Sequence, residues 1–594
     1  MNKIKYIIGL FVVAFLIVGC EEWAIGDAAL EEPPTVTANL DTVFSNVEYA
    51  ERFLFGAYGT LPYGLNINWD ANRDKLGMDI LEALTDLNHS YLAWGGANQV
   101  YYGGQYAALT ENESSKTKFH FTKEKTWSGI RKAWIVVENA DKIPGAEQAY
   151  IDQLKAEARM VIALHYTDMY RHFGGLPWVD HAYDGDEDMT FVRLTAKVTL
   201  EKIIEQIDLA IADLPWDIKD LSNWDGRFSQ ASAKGLKARL LLFAASPLFN
   251  DDVPYLEGEA ATKELVWFGG KDATLWNRAA EAAEDLIADV NSKGVYQLVN
   301  TGNPRQDFQD AYYKRGNGEV LISTRVRFES PGWWSGSYYF YQSAGNYGCG
   351  CPTQEYVDMF GMANGLPITD PASGYDANDP FTSRDPRLYE TVLVDGDTYQ
   401  GRTSELWIGG RERKNTGFKG TKSGYGLRKF LLERNAATSI NSVVQWPYLR
   451  LAEVYLTAAE ALNEANNGPT TKAYSYVNEV RRRVGLGDLE TGLSQEEFRE
   501  AVLRERALEF GYEEVRWFDL IRWKREADFT KALHGTDLVK IDNGQPATPD
   551  NLTRTLTNLP SRYWQSNWSP KWYLSALPPD EVNLKYGLIQ NPGW

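Results

Sequence analysis

The sequence predicts a predominantly α fold, with paired helices as scaffold, long irregular loop-rich inserts and minor β structure. Three observations carry this expectation. Apolar residues recur at steps of three and four over several stretches of helix length. These stretches come in pairs joined by short turns. Between them lie Gly-, Trp- and Tyr-rich segments with no period.

The chain opens with Lys3 and Lys5, an apolar run from Tyr6 to Val18, and Ile17-Val18-Gly19-Cys20. That order of charge, apolar run and small-residue cleavage site predicts a lipoprotein signal peptide over residues 1–19. The run is too short to span a bilayer, which takes roughly 20 residues. Cys20 then carries acyl chains that anchor the protein to the membrane. Residues 20–40, with Pro33-Pro34, read as a tether. Residues 41–250 and 251–594 read as two regions of one compact body.

Ala149 to Phe173 places Ile151, Leu154, Ala158, Val161, Ile162 and Met169 mostly on a helical period and stops at Gly174-Gly175, with Pro177 beyond. Thr199–Leu214 repeats the pattern. Ala231–Phe249 is Ala/Leu-rich and buried on more than one side. Trp276–Val290, Tyr448–Glu464 and Thr470–Arg483 behave likewise. Ser494 with Glu497 forms a capping box, Leu493 and Phe498 form a staple, and the helix they open is expected to run to about Trp523. The pairing suggests tetratricopeptide-like packing. Glu319–Ser323 reads as a strand inside the long aromatic-rich region.

With 81 Asp+Glu against 61 Lys+Arg the chain is acidic. Such a surface repels phosphate backbones, so nucleic acid is a poor partner. Besides Cys20 there are Cys349 and Cys351, separated by one glycine. A bridge between them is strained and two ligands do not close a zinc site. The 20 Trp and 33 Tyr exceed what a core of this size requires.

An ordered series of motifs resembles the SusD/RagB nutrient-binding lipoproteins. It starts at RMVIALHYTDMYRHFGGLPWV (Arg159 to Val179) and continues through Gly226-Arg227, Pro352-Thr353-Gln354-Glu355 and Arg384-Asp385-Pro386-Arg387-Leu388. Leu449-Arg450-Leu451-Ala452-Glu453, Glu505-Arg506-Ala507-Leu508-Glu509-Phe510 and Arg516-Trp517-Phe518-Asp519 follow, then the terminal Gln590-Asn591-Pro592-Gly593-Trp594. The resemblance implies a SusD-like α superhelix with four tetratricopeptide-like pairs, an outer-membrane, cell-surface location, and docking on a SusC-like TonB-dependent transporter. It also implies capture of a nutrient, here an oligosaccharide or polysaccharide. A peptide-capturing relative and a surface glycoside hydrolase are the rival readings.

Several constellations tempt a catalytic or metal reading. Arg504 to Arg522 carries opposite charges at helical spacing, which stabilise a helix without any substrate. His165, Asp168 and His172 share one helical face, but the blander role is polar residues at helix contacts. Asp184, Asp186, Glu187 and Asp188 make one acidic loop, and Asp376, Asn378 and Asp379 another. Oxygen ligands suit Ca²⁺, yet neither has EF-hand spacing, and solvated loops are the better reading. A glycosidase needs two carboxylates about 5 to 9.5 Å apart, and no such pair is identifiable. No catalytic residue is therefore assigned.

Sugars present apolar faces ringed by hydroxyls, which calls for aromatic platforms beside polar groups. Two stretches qualify. The first carries Trp69, Asp70 and Arg73, then Tyr91, Trp94, Asn98, Gln99 and Tyr101. The second carries Trp333, Trp334, Tyr338 and Asn346. Both occupy positions where, by the resemblance, the ligand face is built. Trp564, Trp568 and Trp572 read as packing or partner contacts.

Overall fold

The computed structural model describes residues 39–594 apart from 66–74, 78, 114–115, 123–124, 185–186, 188–189, 221–223, 327–347, 349, 414–420, 433–443 and 543. Cys20, the signal segment and most of the tether lie outside the described residues.

The longer helices are α1 (Val47–Tyr58), α2 (Thr126–Asn139), α3 (Gln148–Phe173), α4 (Ala196–Asp213), α5 (Gln230–Ala245), α6 (Thr274–Lys293) and α7 (Pro304–Tyr313). After the long insert come α8 (Leu451–Ala465), α9 (Thr471–Arg483), α10 (Gln495–Phe510) and α11 (Arg516–Arg522). Through α6 each packs on the one before it; then α6 packs on α8, and α8 on α9 and α10. The result is a tetratricopeptide-like helical stack. Helices α1, α2 and α7 add to those expected from periodicity.

From Met160 to Phe173, α3 is buried on every side, which is why its apolar pattern is broader than one stripe. It ends at Gly174, whose φ of 83° and whose approach to Leu265 O leave no room for a side chain; an added Cβ would lie 2.7 Å from that oxygen. The Ser494 cap is present: Glu497 N donates to Ser494 Oγ at 3.3 Å, and Ser494 N to Glu497 Oε2 at 2.8 Å.

Two elements depart from expectation. The helix opened by Ser494 stops at Phe510 rather than near Trp523, because Tyr512 and Glu514 adopt positive φ and turn the chain before α11. Tyr448 to Arg450 belong to a strand, not to the start of α8. That strand, β2 (Val444–Arg450), pairs antiparallel with β1 (Val320–Val326), so the strand read from Glu319–Ser323 exists and has a partner. A hairpin, β3 (His534–Lys540) with β4 (Leu552–Asn558), lies in the C-terminal region.

The charges around α10 and α11 are buried and paired across elements rather than along one surface. Glu509 accepts from Arg450 at 2.8 Å and Arg387 at 3.2 Å, and also from Arg483. Arg450 further reaches Glu319 and Glu513. These three arginines hold the Glu509 carboxyl below its usual range despite its burial. Their role remains structural, as expected, but it is to weld β2, α9, α10 and the Asp385–Arg387 turn together.

The C-terminal tail is welded in the same way. Arg193 donates to Gly175 O at 2.6 Å, Ile589 O at 2.6 Å and Asn591 Oδ1 at 2.7 Å. Trp564 and Trp572 are buried, 5.9 Å apart, and Trp594 meets Trp572 edge-on. Trp568 stacks on Phe529. Packing accounts for all three tryptophans of that tail segment.

Candidate functional site

Residues 87–91 run beside Gly348 and residues 350–353. His89 N donates to Cys351 O at 2.9 Å, Tyr91 N to Gly348 O at 2.9 Å, and Thr353 N to Leu87 O at 3.0 Å. The stem of the second aromatic stretch therefore lies against the start of the Tyr91–Tyr102 stretch. The Lys75–Gly77 turn, which follows Trp69 to Asp74 in the chain, meets the same place from another side. Leu76 N donates to Thr117 O, and a Cβ on Gly96 would lie 2.3 Å from Lys116 O and 2.6 Å from Leu76 O. Glycine at 96 is what lets these backbones touch.

Trp69, Asp70, Arg73, Trp333, Trp334, Tyr338 and Asn346 lie outside the described residues, as does Cys349. Among the described candidates, Tyr91 and Trp94 are half-buried and Gln99 is exposed. The Tyr91 ring leans on His89 with centroids 4.9 Å apart. Gln99 Oε1 accepts from Lys116 Nζ. Asn98 Nδ2 donates to Ser90 O at 3.0 Å and Leu92 O at 3.1 Å, so its amide clamps the turn that carries Tyr91 and Trp94. Tyr101, placed among the ligand contacts by its sequence position, is 1% exposed: its ring stacks on Tyr106 and its hydroxyl accepts from Lys118 N. It faces the interior because Ala97–Tyr102 forms a π-helical turn, which rotates Tyr101 inward.

The platform beneath is polar. Arg562 donates to Thr85 O at 2.7 Å and Asn88 O at 2.5 Å, and lies 4.9 Å from the Tyr102 ring. Tyr102 donates to Ala83 O at 2.7 Å and accepts from Ser90 N at 3.0 Å. Burial, reinforced by Arg562, lowers the His89 pKa to about 3, so the ring beside Tyr91 is neutral. Asp79 sits under Gly95 at the start of the π-helical turn, and burial pushes its carboxyl up to about 7. Arg562 carries no sequence signal as a site residue, since its contacts to Thr85 and Asn88 are long-range.

The other sequence candidates have separate engagements. His165 Nε2 lies 2.9 Å from Thr60 Oγ1, Asp168 accepts from Arg171, and the His172 ring packs on Phe119 and Phe518. Asp184 N donates to Glu187 Oε1, and both His181 nitrogens meet carboxylates. Asp186 and Asp188 lie outside the described residues. Asp376 caps its own turn by accepting from Asn378 N at 2.8 Å. Cys351 is a buried thiol donating to Gly348 O, its pKa pushed up to about 11 by burial.

Comparison with known proteins agrees with this architecture. The SusD family model matches residues 285–594. SusD-like protein P25 of Formosa agariphila is 49% identical over 558 residues, covering 88% of this chain and 90% of its own. Among solved structures, a SusD-like protein from Bacteroides fragilis superposes with a TM-score of 0.71 at 22% identity, over 95% of this chain and 100% of its own. One titled a laminarin binding SusD-like protein gives 0.58 at 19% identity, over 93% and 100%. The match over half of the chain and the near-full-length relative establish that the chain belongs to the SusD family.

Proposed function

We propose that this protein is a cell-surface lipoprotein that captures an oligosaccharide and delivers it to a SusC-like TonB-dependent transporter, and that it is not an enzyme. The observation that supports the reading is the pairing of Tyr91 with Gly348, the residue that follows the second aromatic-rich stretch in the chain. A sugar ring then stacks on Trp94 and on one of Trp333 or Trp334, while Asp70, Arg73, Asn98, Gln99 and Asn346 meet its hydroxyls. Family membership and the laminarin-binding neighbour favour a glycan over a peptide.

Among the described residues no helix is long and apolar enough to cross a membrane. Anchoring falls to acylated Cys20, with residues 20–40 as tether and residues 41–250 and 251–594 as one body. Affinity gels cast with laminarin and other soluble glycans test the binding, with product analysis on the same incubations. Retention without product supports capture. Released sugar means a glycosidase, and absence of both favours a peptide ligand. Copurification of a large β-barrel with the full chain tests the transporter, and Cys20→Ala is expected to release the protein from the membrane.

A further inference from the structure

A cavity of about 500 Å³ lies between the β3–β4 hairpin and the segment from Asn378 to Thr403, and shares no residue with the site described above. Its volume is that of small-ligand sites. Leu538 and Val394 are buried and form part of the apolar floor, and Phe381 forms part of a wall.

The charges in the cavity fall into two kinds. Asp397 is spoken for: Arg428 reaches it at 2.7 Å and Arg305 at 3.0 Å. Arg554 instead donates to uncharged groups, to Tyr425 OH at 3.0 Å, Gln354 Oε1 at 3.1 Å and Thr536 Oγ1 at 3.2 Å. Asp395 accepts from the Leu406 amide at 2.6 Å and from the Trp407 amide, and its charged neighbours Glu405 and Glu412 are acidic. Asp379 also lines the cavity, so beside its apolar surface the site offers two carboxylates, Asp379 and Asp395, and the Arg554 guanidinium.

That combination disfavours a phosphate, which the acids repel, and a metal ion, since Asp397 is held by arginines. A ring carrying neighbouring hydroxyls satisfies both kinds of group: the carboxylates accept from hydroxyls and the guanidinium donates to them. Its less polar face can lie on Phe381 and Leu538.

We propose that this cavity is a second binding site for a neutral saccharide, separate from the one that Tyr91 and Trp94 build. It rests on the glycan-binding reading only for the kind of ligand. Arg554 and Pro560 are six residues apart on and just beyond β4, and Pro560 O lies 3.0 Å from His89 Nε2. At about 3.3 Å per residue, Arg554 and Pro560 are at most roughly 20 Å apart. Two sites on one body bind a long glycan more tightly than either binds a short one, provided the chain can reach both.

The test uses the full chain, with laminaribiose, maltose and cellobiose in calorimetric titrations and affinity gels of the matching polymers as a second readout. The expected result is two disaccharides per wild-type chain, and one in Arg554→Gln and in Thr403→Trp, whose exposed side chain fills the cavity mouth. Trp94→Ala weakens one of the two sites about tenfold or more and leaves the other unchanged, because the cavity is intact. A single site in the wild type, or a stoichiometry unchanged by both cavity variants, overturns the second site while polymer retention keeps the primary reading. No disaccharide binding with polymers still retained also overturns it. Loss of polymer and disaccharide binding alike in the wild type overturns both.

Discussion

The backbone amide of Tyr91 donates to the carbonyl oxygen of Gly348 at 2.9 Å, and the aromatic stretch ending at Tyr347 precedes that acceptor directly in the chain. Backbone pairing fixes this relation whatever the side chains of the two loops are.

Trp94→Ala is expected to weaken glycan binding about tenfold or more, the equivalent of about 1.4 kcal/mol. The unfolding midpoint should shift little, because the indole is only half-buried. Calorimetric titration beside thermal unfolding separates the two effects.

Arg562→Met should loosen the site without touching a ligand. It removes charged donors from Thr85 O and Asn88 O, at about 1.5–3 kcal/mol for each bond to a charged group. Hydrogen exchange is expected to speed up across residues 85–102, and glycan affinity to fall with it. Unchanged exchange there would show that Arg562 does not support the turn.

Asp79 and Glu82 should contribute stability that is lost as pH rises from about 4 to 8. Burial pushes Asp79 from 3.8 up to about 7, and burial with the neighbouring Glu514 pushes Glu82 from 4.5 up to about 8. At these two groups the folded protein holds more protons than the unfolded chain between about pH 4 and 8, so raising the pH through that range removes their contribution. Asp79→Asn and Glu82→Gln should each flatten the dependence of the melting temperature on pH. A profile unchanged in both variants would contradict the shifts.

Arg450→Met leaves Glu319, Glu509 and Glu513 in the interior without one of their cations. Removing one partner of a buried pair costs about 3–5 kcal/mol. Denaturant unfolding should read that loss. A double variant that also carries Glu509→Gln should recover part of it.

Helices whose burial is one-sided or whose ends carry local signals were legible: Ser494 with Glu497 fixes the start of α10, and the glycine pair after Phe173 fixes the end of α3. The end of α10 was not, because the turn is made by Tyr512 and Glu514, whose side chains do not announce positive φ. Strand character at Tyr448–Arg450 was hidden by the helix that follows at once. Arg and Glu at helical spacing looked like surface pairs, whereas Arg387 meets Glu505 across 118 positions. At the candidate site, Tyr91 and Trp94 stood out as aromatics in a Gly-rich stretch. Tyr101 looked the same and is buried, since a π-helical turn changes which residues face out. Arg562 reaches Thr85 across 477 positions, a relation no local pattern carries.

A double-mutant cycle on Trp94 and Trp333 tests most directly whether two loops share one ligand. Affinity for whichever polymer the gels retain is measured for Trp94→Ala, Trp333→Ala and the double variant. Both single losses, with a double loss clearly smaller than their sum, are the expected result, because each ring depends on the other to hold the same sugar chain. Binding unaffected by either substitution, or strictly additive losses, would contradict a shared guest between the loops joined at Tyr91 and Gly348.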